Sequence, residues 1–250
     1  VLINAVDHLR CEHCEMTKKA PQSSKIHAPK PYVFNHEIGI DVFDLHDYDG
    51  KLHLFLNIVD QGTKLQMCIH VAQADGTPSS KLCADSFLFA WTQWAGWPKS
   101  VTTDRGLHNR GRFSRMLGAH GICIRNTALE CPEQLGRTER HGDIWKTIAK
   151  RVINSQNIRG PDDMKIMAYE LNNTVNDNMR KGGYSCSQWV LGKLPRRADG
   201  SQMDTDHFAD LGIISEQFDP ESAFQRTMQI RTACRKAFAK EDCSLRVAKA

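Results

Sequence analysis

Asp41 stands inside an otherwise apolar, strand-like run, Ile38-Gly39-Ile40-Asp41-Val42-Phe43. A carboxylate in such a run is costly unless it is paired or binds a metal, so the fold must bring compensating groups to position 41. Two other acids stand in suitable contexts. Asp104 follows Ser100-Val101-Thr102-Thr103 and precedes Arg105-Gly106, a short strand emptying into a glycine turn. Glu139 lies in Gly136-Arg137-Thr138-Glu139-Arg140-His141-Gly142, at the start of a helical pattern. Two strand-end aspartates and a helix-borne glutamate can converge on a pair of hard cations. Such cations take oxygen ligands and clamp the attacking and leaving oxygens of a phosphoryl transfer. Bland readings exist for each acid: a strand-edge Asp, ordinary turn chemistry at Asp104, a surface helix residue at Glu139. Asp44, Asp47, Asp49 and Asp60 read as turn or surface acids, with Asp60 the best stand-in should Asp41 fail.

Around these residues the chain alternates strand and helix signals. His36–Leu45, Lys51–Val59 and Leu65–Val71 read as strands, with Asp47-Tyr48-Asp49-Gly50 as the turn joining the first two. A helix is expected from about Ser79 to Trp94, closed by Gly96 and Pro98. Lys99–Thr103 and Gly121–Asn126 read as short strands. From Gln134 the pattern is helical, and Ile144, Trp145, Ile148, Ala149 and Val152 form a core stripe. Glu139, Lys146 and Lys150 share a different face, which would turn toward substrate. Further helices are expected from Pro161 to Arg180 and from Asp219 onward, the last with Phe224, Met228, Ala233 and Phe238 buried. Strands followed by alternating helices point to a layered α/β domain. There is no internal repeat.

Composition adds little about the partner. Of 250 residues, 25% are charged and the net charge is only +4, so distribution must carry any argument about polyanions. Residues 226–250 are the basic end: Arg226, Arg231, Arg235, Lys236, Lys240, Arg246 and Lys249 face only Glu241 and Asp242. That surplus suits a polyanion, although a solvated helix face explains it about as well. Nine cysteines, an odd number without a disulfide framework, favour free thiols in a reducing compartment. No run approaches the roughly 20 apolar residues of a membrane span, so no membrane partner is expected. A chain that begins at Val1 reads as a segment of something longer.

The ordered series Cys11-Glu12-His13-Cys14, Gly39-Ile40-Asp41-Val42-Phe43, Thr103-Asp104-Arg105-Gly106 and Gly136-Arg137-Thr138-Glu139-Arg140 resembles the integrase of retroviruses and LTR retrotransposons, cut from a Pol-type polyprotein. The 34 residues between Asp104 and Glu139 are close to the family's spacing, and the resemblance runs from about Cys11 to Arg197. It implies an RNase H-like core, a mixed central sheet flanked by helices, over residues 35–197. Before that core would lie the C-terminal half of a zinc-binding module (1–20) and a linker (21–34); after it, a helical basic extension (198–250). Asp41, Asp104 and Glu139 would be the catalytic triad, holding Mg²⁺ or Mn²⁺. Cys11 and Cys14 would be half of a zinc site, since only His8 stands upstream as a candidate ligand, and Zn²⁺ would belong to the full-length protein.

The same resemblance implies DNA as partner, both the element's ends and a target, with a homo-oligomer acting in the nucleus after cytoplasmic transit. No clear basic localisation run accompanies it. Lys146 occupies a helix position two turns beyond the catalytic Glu where family members often carry a DNA-binding lysine, while Asp143 takes the one-turn position. Lys150 and Arg140 on the same helix, and Arg105 at the head of a basic cluster with Arg110, Arg112 and Arg115, are further candidates for phosphate contact. Gly182-Gly183-Tyr184-Ser185-Cys186-Ser187-Gln188-Trp189 resembles the tail of retrotransposon integrase cores, with Cys186 where proline is usual and Trp189 read as core. Alternative readings are a catalytically inactive or repurposed DNA-binding remnant, and another RNase H-like nuclease that cuts without joining.

Overall fold

The computed structural model describes residues 33–74, 76–104, 106, 111–126, 136–181, 184–192 and 223–247. Cys11, Cys14, Arg105 and Arg110, and with them the zinc half-site, lie outside the described residues. So do the side chains of Phe224 and Met228.

A five-stranded sheet organises the core. Its strands are β1 (Glu37–His46), β2 (Leu52–Asp60), β3 (Gln66–Gln73), β4 (Ser100–Thr103) and β5 (Cys123–Asn126), in the order β3-β2-β1-β4-β5. The β1–β2 and β2–β3 pairs are antiparallel, while β4 lies parallel to β1 and β5 parallel to β4. Tight turns explain the first half: Asp47 accepts the backbone N–H groups of Asp49 (3.0 Å) and Lys51 (2.9 Å), closing β1 onto β2. The parallel half needs crossovers, which helices supply. They are α1 (Ser80–Phe87), a π-helical turn (Leu88–Thr92) that continues it, α2 (Gln93–Ala95) and α3 (Arg112–Ala119). Ser79 caps α1, its hydroxyl accepting from the Leu82 N–H at 3.2 Å.

Strand periodicity sorts the sheet's side chains onto two faces. One face packs Ile38, Ile40, Leu56, Ile58, Ile69 and Val101 against Cys83, Ala84, Phe87 and Trp91 of the α1 segment and Phe113 and Leu117 of α3. The other packs Phe43, Leu45, Phe55 and Cys68 under α4 (Gly136–Gln156) and α5 (Gly160–Asn178). The expected stripe on α4 is buried there through Trp145, Ile148, Ala149 and Val152. Phe43, Phe55 and Trp145 form an aromatic triangle with centroid distances of 5.5–5.8 Å. After α5 come the short pair β6 (Arg180–Lys181) and β7 (Tyr184–Ser185), and α6 (Cys186–Leu191), whose capping box joins Ser185 and Gln188. Finally α7 (Ala223–Val247) lies over α4 and α5, burying Ile230, Ala233, Cys234 and Phe238.

Several expectations need correction. Trp189 is 38% exposed, because α6 is a short outer helix that turns Cys186 and Ser187 inward instead. Arg112 and Arg115 sit on α3. Asp47 and Asp60 are buried, each absorbed by a turn. Part of the basic surplus of α7 is used internally: Arg226 pairs with Asp163 at 2.7 Å, and Arg231 reaches both carboxylate oxygens of Glu170 at 2.6 and 2.8 Å. Cys68, Cys83, Cys123, Cys186, Cys234 and Cys243 are free thiols. No helix among the described residues is long and apolar enough to cross a membrane.

Candidate active site

β1 carries Asp41 in its middle, on the face that looks toward α4. The parallel register that pairs Ile40 with Thr103 sets Asp104 at the next step on β4, beside Asp41, with neighbouring strands about 4.8 Å apart. Asp104 accepts the Gly106 N–H at 3.1 Å as the chain turns out of the sheet. The third acid arrives from above, in the first turn of α4, where Glu139 is exposed. That turn approaches β1 closely because position 39 is glycine: a Cβ there would collide with the Thr138 hydroxyl.

The charges of Asp104 and Glu139 both act on Asp41. Burial pushes the Asp41 carboxyl up from its ordinary 3.8 to about 6. The Val42 N–H, donating to Asp41 Oδ1 at 2.9 Å, works against that rise. The charges of Asp104 and Glu139 raise it further, and Lys146 opposes them. As they stand, no three His, Cys, Asp or Glu side chains among the described residues form a group that could hold a metal ion. Glu139 is on the exposed side of its helix. The donor chemistry still suits a hard divalent cation: carboxylate oxygens, one of them desolvated and crowded by two more negative charges.

Among the described candidate DNA contacts, Lys146 is one whose charge acts on Asp41. Its ammonium sits 5.4 Å from the centroid of the Phe43 ring and 2.7 Å from Asp143 Oδ1. Lys150 and Arg140 are exposed on α4. Asp60 cannot substitute for Asp41. It pairs with Ile38 and so belongs to the opposite face, where its oxygens accept from Asn35 N–H (2.9 Å), Thr63 N–H (2.6 Å) and the Thr63 hydroxyl (2.7 Å).

The motif reading missed the buried amides beside the acids. Asn57 is the cross-strand partner of Asp41 and is fully buried. Gln61 donates to the Thr138 hydroxyl at 2.9 Å. A signal was present: Asn57 interrupts the apolar run Leu54-Phe55-Leu56-Asn57-Ile58-Val59 just as Asp41 interrupts its own.

No family model and no curated protein matches the chain. Solved structures do. An intasome of simian T-cell lymphotropic virus in complex with the PP2A regulatory subunit B56 gamma matches at TM-score 0.57 and 19% identity, over 82% of this chain and 71% of that one. The HTLV-2 integrase catalytic core domain in complex with magnesium matches in a trimeric form at TM-score 0.51 and 18% identity, over 64% of this chain and 98% of that one. Its dimeric form matches at TM-score 0.50, again at 18% identity, over 64% and 97%. The chain has the RNase H-like fold of a retroviral integrase catalytic core. In this integrase-type core, the end of β4 and the first turn of α4 meet the middle of β1, and that is where Asp41, Asp104 and Glu139 lie.

Proposed function

We propose that the chain is an integrase, a polynucleotidyl transferase that joins the ends of a retrotransposon-type element to target DNA, with Asp41, Asp104 and Glu139 as its metal ligands. The observation that carries this is the half-buried, largely desolvated Asp41 carboxylate pressed by the charges of Asp104 and Glu139, set in an integrase-type fold. When bound, a pair of Mg²⁺ or Mn²⁺ ions would supply the positive charge that a phosphodiester under attack requires. The magnesium-bound HTLV-2 core is in keeping with that cofactor.

The side chains then divide the work. Asp41 and Asp104 would hold the ions from the sheet, and Glu139 from the first turn of α4. Phe43, Phe55 and Trp145 wall the site with apolar surface, limiting water beneath the acids. Lys146 and Lys150 run down the face of α4 beyond Glu139, and with Arg140 and Arg105 they hold DNA phosphates. In the free protein Asp143 neutralises Lys146, so a phosphate takes over that partner on binding. The chemistry needs no side-chain nucleophile and no covalent enzyme intermediate. A homo-oligomer acting in the nucleus fits this role, and the HTLV-2 core occurs in dimeric and trimeric forms.

One observation favours the second reading, a DNA-binding remnant without catalysis: the acids are not already grouped as a metal centre. Strand transfer separates the two. Labelled oligonucleotides matching the element's own terminus are incubated with Mg²⁺ or Mn²⁺ and either wild type or Glu139→Gln. Joined products that vanish in the variant support the integrase. Cleavage without joining indicates a nuclease, and DNA binding with neither activity indicates the remnant.

A further inference from the structure

Beneath α4 the sheet carries side-chain amides where a core ordinarily takes aliphatic groups. The Asn57 Nδ2 donates to the backbone carbonyl of Thr138 at 3.3 Å, and Thr138 immediately precedes Glu139. Its Oδ1 accepts from Gln66 Nε2 at 2.9 Å and from the Cys68 thiol at 3.1 Å. Gln66 Nε2 also reaches the carbonyl of His141 at 3.3 Å, two residues past Glu139. With Gln61 on the Thr138 hydroxyl, three amides hold the turn of α4 that bears Glu139 from both sides.

The brace is itself fixed. Asn176 on α5 engages both backbone groups of Gln66, accepting its N–H at 2.9 Å and donating to its carbonyl at 2.8 Å. Asn172 does the same for Cys68 at 3.0 and 2.8 Å, and its Oδ1 also accepts from the Trp145 indole at 3.1 Å. Asn57, Gln61, Gln66, Asn172 and Asn176 are all buried.

Buried amides add little net stability even when satisfied, and aliphatic packing of equal volume would hold α4 to the sheet as firmly. What packing cannot do is fix rotation and height, because hydrophobic attraction has no direction. Hydrogen bonds weaken steeply when misaligned, so this set defines where the first turn of α4 sits. The position it defines is that of Glu139 relative to Asp41, the residue directly across the strands from Asn57.

We propose that Asn57, braced by Gln66, is a positioning residue for the metal site and sets Glu139 over Asp41. The inference rests on the reading of Asp41, Asp104 and Glu139 as metal ligands. Residues that orient metal ligands typically matter by about 10–100-fold in metal affinity or activity.

The test uses the full chain as wild type, Asn57→Leu and Gln66→Met, both replacements being close to isosteric. Binding of Mn²⁺ alone is followed by electron paramagnetic resonance, melting temperature by circular dichroism, and strand transfer in Mg²⁺ and in Mn²⁺. Expected for Asn57→Leu is Mn²⁺ binding weakened about 10–100-fold with a lowered melting temperature, since Gln66 Nε2 and the Thr138 carbonyl each lose a buried partner. The rate in Mg²⁺ should fall further than in Mn²⁺, since Mg²⁺ demands near-ideal octahedral geometry, with KM for DNA unchanged. Gln66→Met removes the brace on Asn57 and the contact with the His141 carbonyl but leaves the bond from Asn57 to Thr138, and should show the same pattern more weakly; it carries the test should Asn57→Leu not fold. Folded variants that bind Mn²⁺ as wild type does and keep its Mg²⁺-to-Mn²⁺ rate ratio would overturn the proposal. Wild type that binds no Mn²⁺ would overturn the metal-site reading itself and this inference with it.

Discussion

Toward α1 and α3 the central sheet presents Ile38, Ile40, Leu56, Ile58, Ile69 and Val101, all buried and all apolar. Toward α4 and α5 the same strands present Gly39, Asp41, Asn57, Gln66 and Cys68 at the level of the acids, and return to aromatic packing only beyond them, at Phe43 and Phe55. The first face behaves as a core whose only task is cohesion. On the second, a carboxylate is held against its preference for water, and amides stand where Leu or Val would fit. Stability is supplied by one side of the sheet and given up on the other, in the stretch where geometry matters for chemistry.

Substitutions can break this contrast, and the largest effect should fall on activity. If Asp104 and Glu139 are metal ligands as proposed, Asp104→Asn or Glu139→Gln removes part of a charge stabilisation worth several kcal/mol, and strand transfer should drop on the order of a thousandfold. Circular dichroism spectra should stay those of wild type. On the other face, Phe87→Ala should cost about 3–5 kcal/mol of unfolding free energy, measured by urea titration. Activity per folded molecule should be unchanged.

Asp41→Asn should do the opposite and stabilise. The folded carboxyl titrates at about 6, above its ordinary 3.8, so the fold favours the neutral form. The stability that form contributes is complete below the ordinary value and is lost as pH rises through 6. Asn mimics the neutral form throughout, so the variant should match wild type near pH 4 and exceed it by about 1–2 kcal/mol near pH 8. Thermal melts across pH check it. A gain that does not depend on pH would mean burial of the charge is not its origin.

The smallest effect concerns α7. Arg231→Ala should cost about 1 kcal/mol and raise hydrogen exchange across α7 first, leaving strand transfer near wild type. A large loss of strand transfer would show that α7 belongs to the active face and not to the scaffold behind it.

The strand and helix pattern was legible because apolar periodicity is local: β1, β2, β3 and the stripe on α4 can each be read from their own residues. The three proposed acids were picked out on different grounds: Asp41 by the apolar strand around it, Asp104 and Glu139 by their spacing within the integrase resemblance. What escaped depends on partners far apart in the chain. Asn57 matters through Thr138, 81 residues away, and Gln66 through Asn176, 110 away, and no short motif records such pairs. Asp60 and Asp47 were misjudged because turn acids are usually solvated, whereas here backbone N–H groups converge on their oxygens inside the fold. Trp189 was misjudged because its size suggested core; the helix that carries it turns its small residues inward.

The most direct test of the central claim is an anomalous-scattering experiment on crystals of the chain soaked in Mn²⁺. The account expects ion density in contact with the carboxylates of both Asp41 and Asp104, with Glu139 drawn toward it, and its loss in Asp41→Asn crystals. A well-ordered site with no ion at those carboxylates, or ions bound only elsewhere, would contradict it.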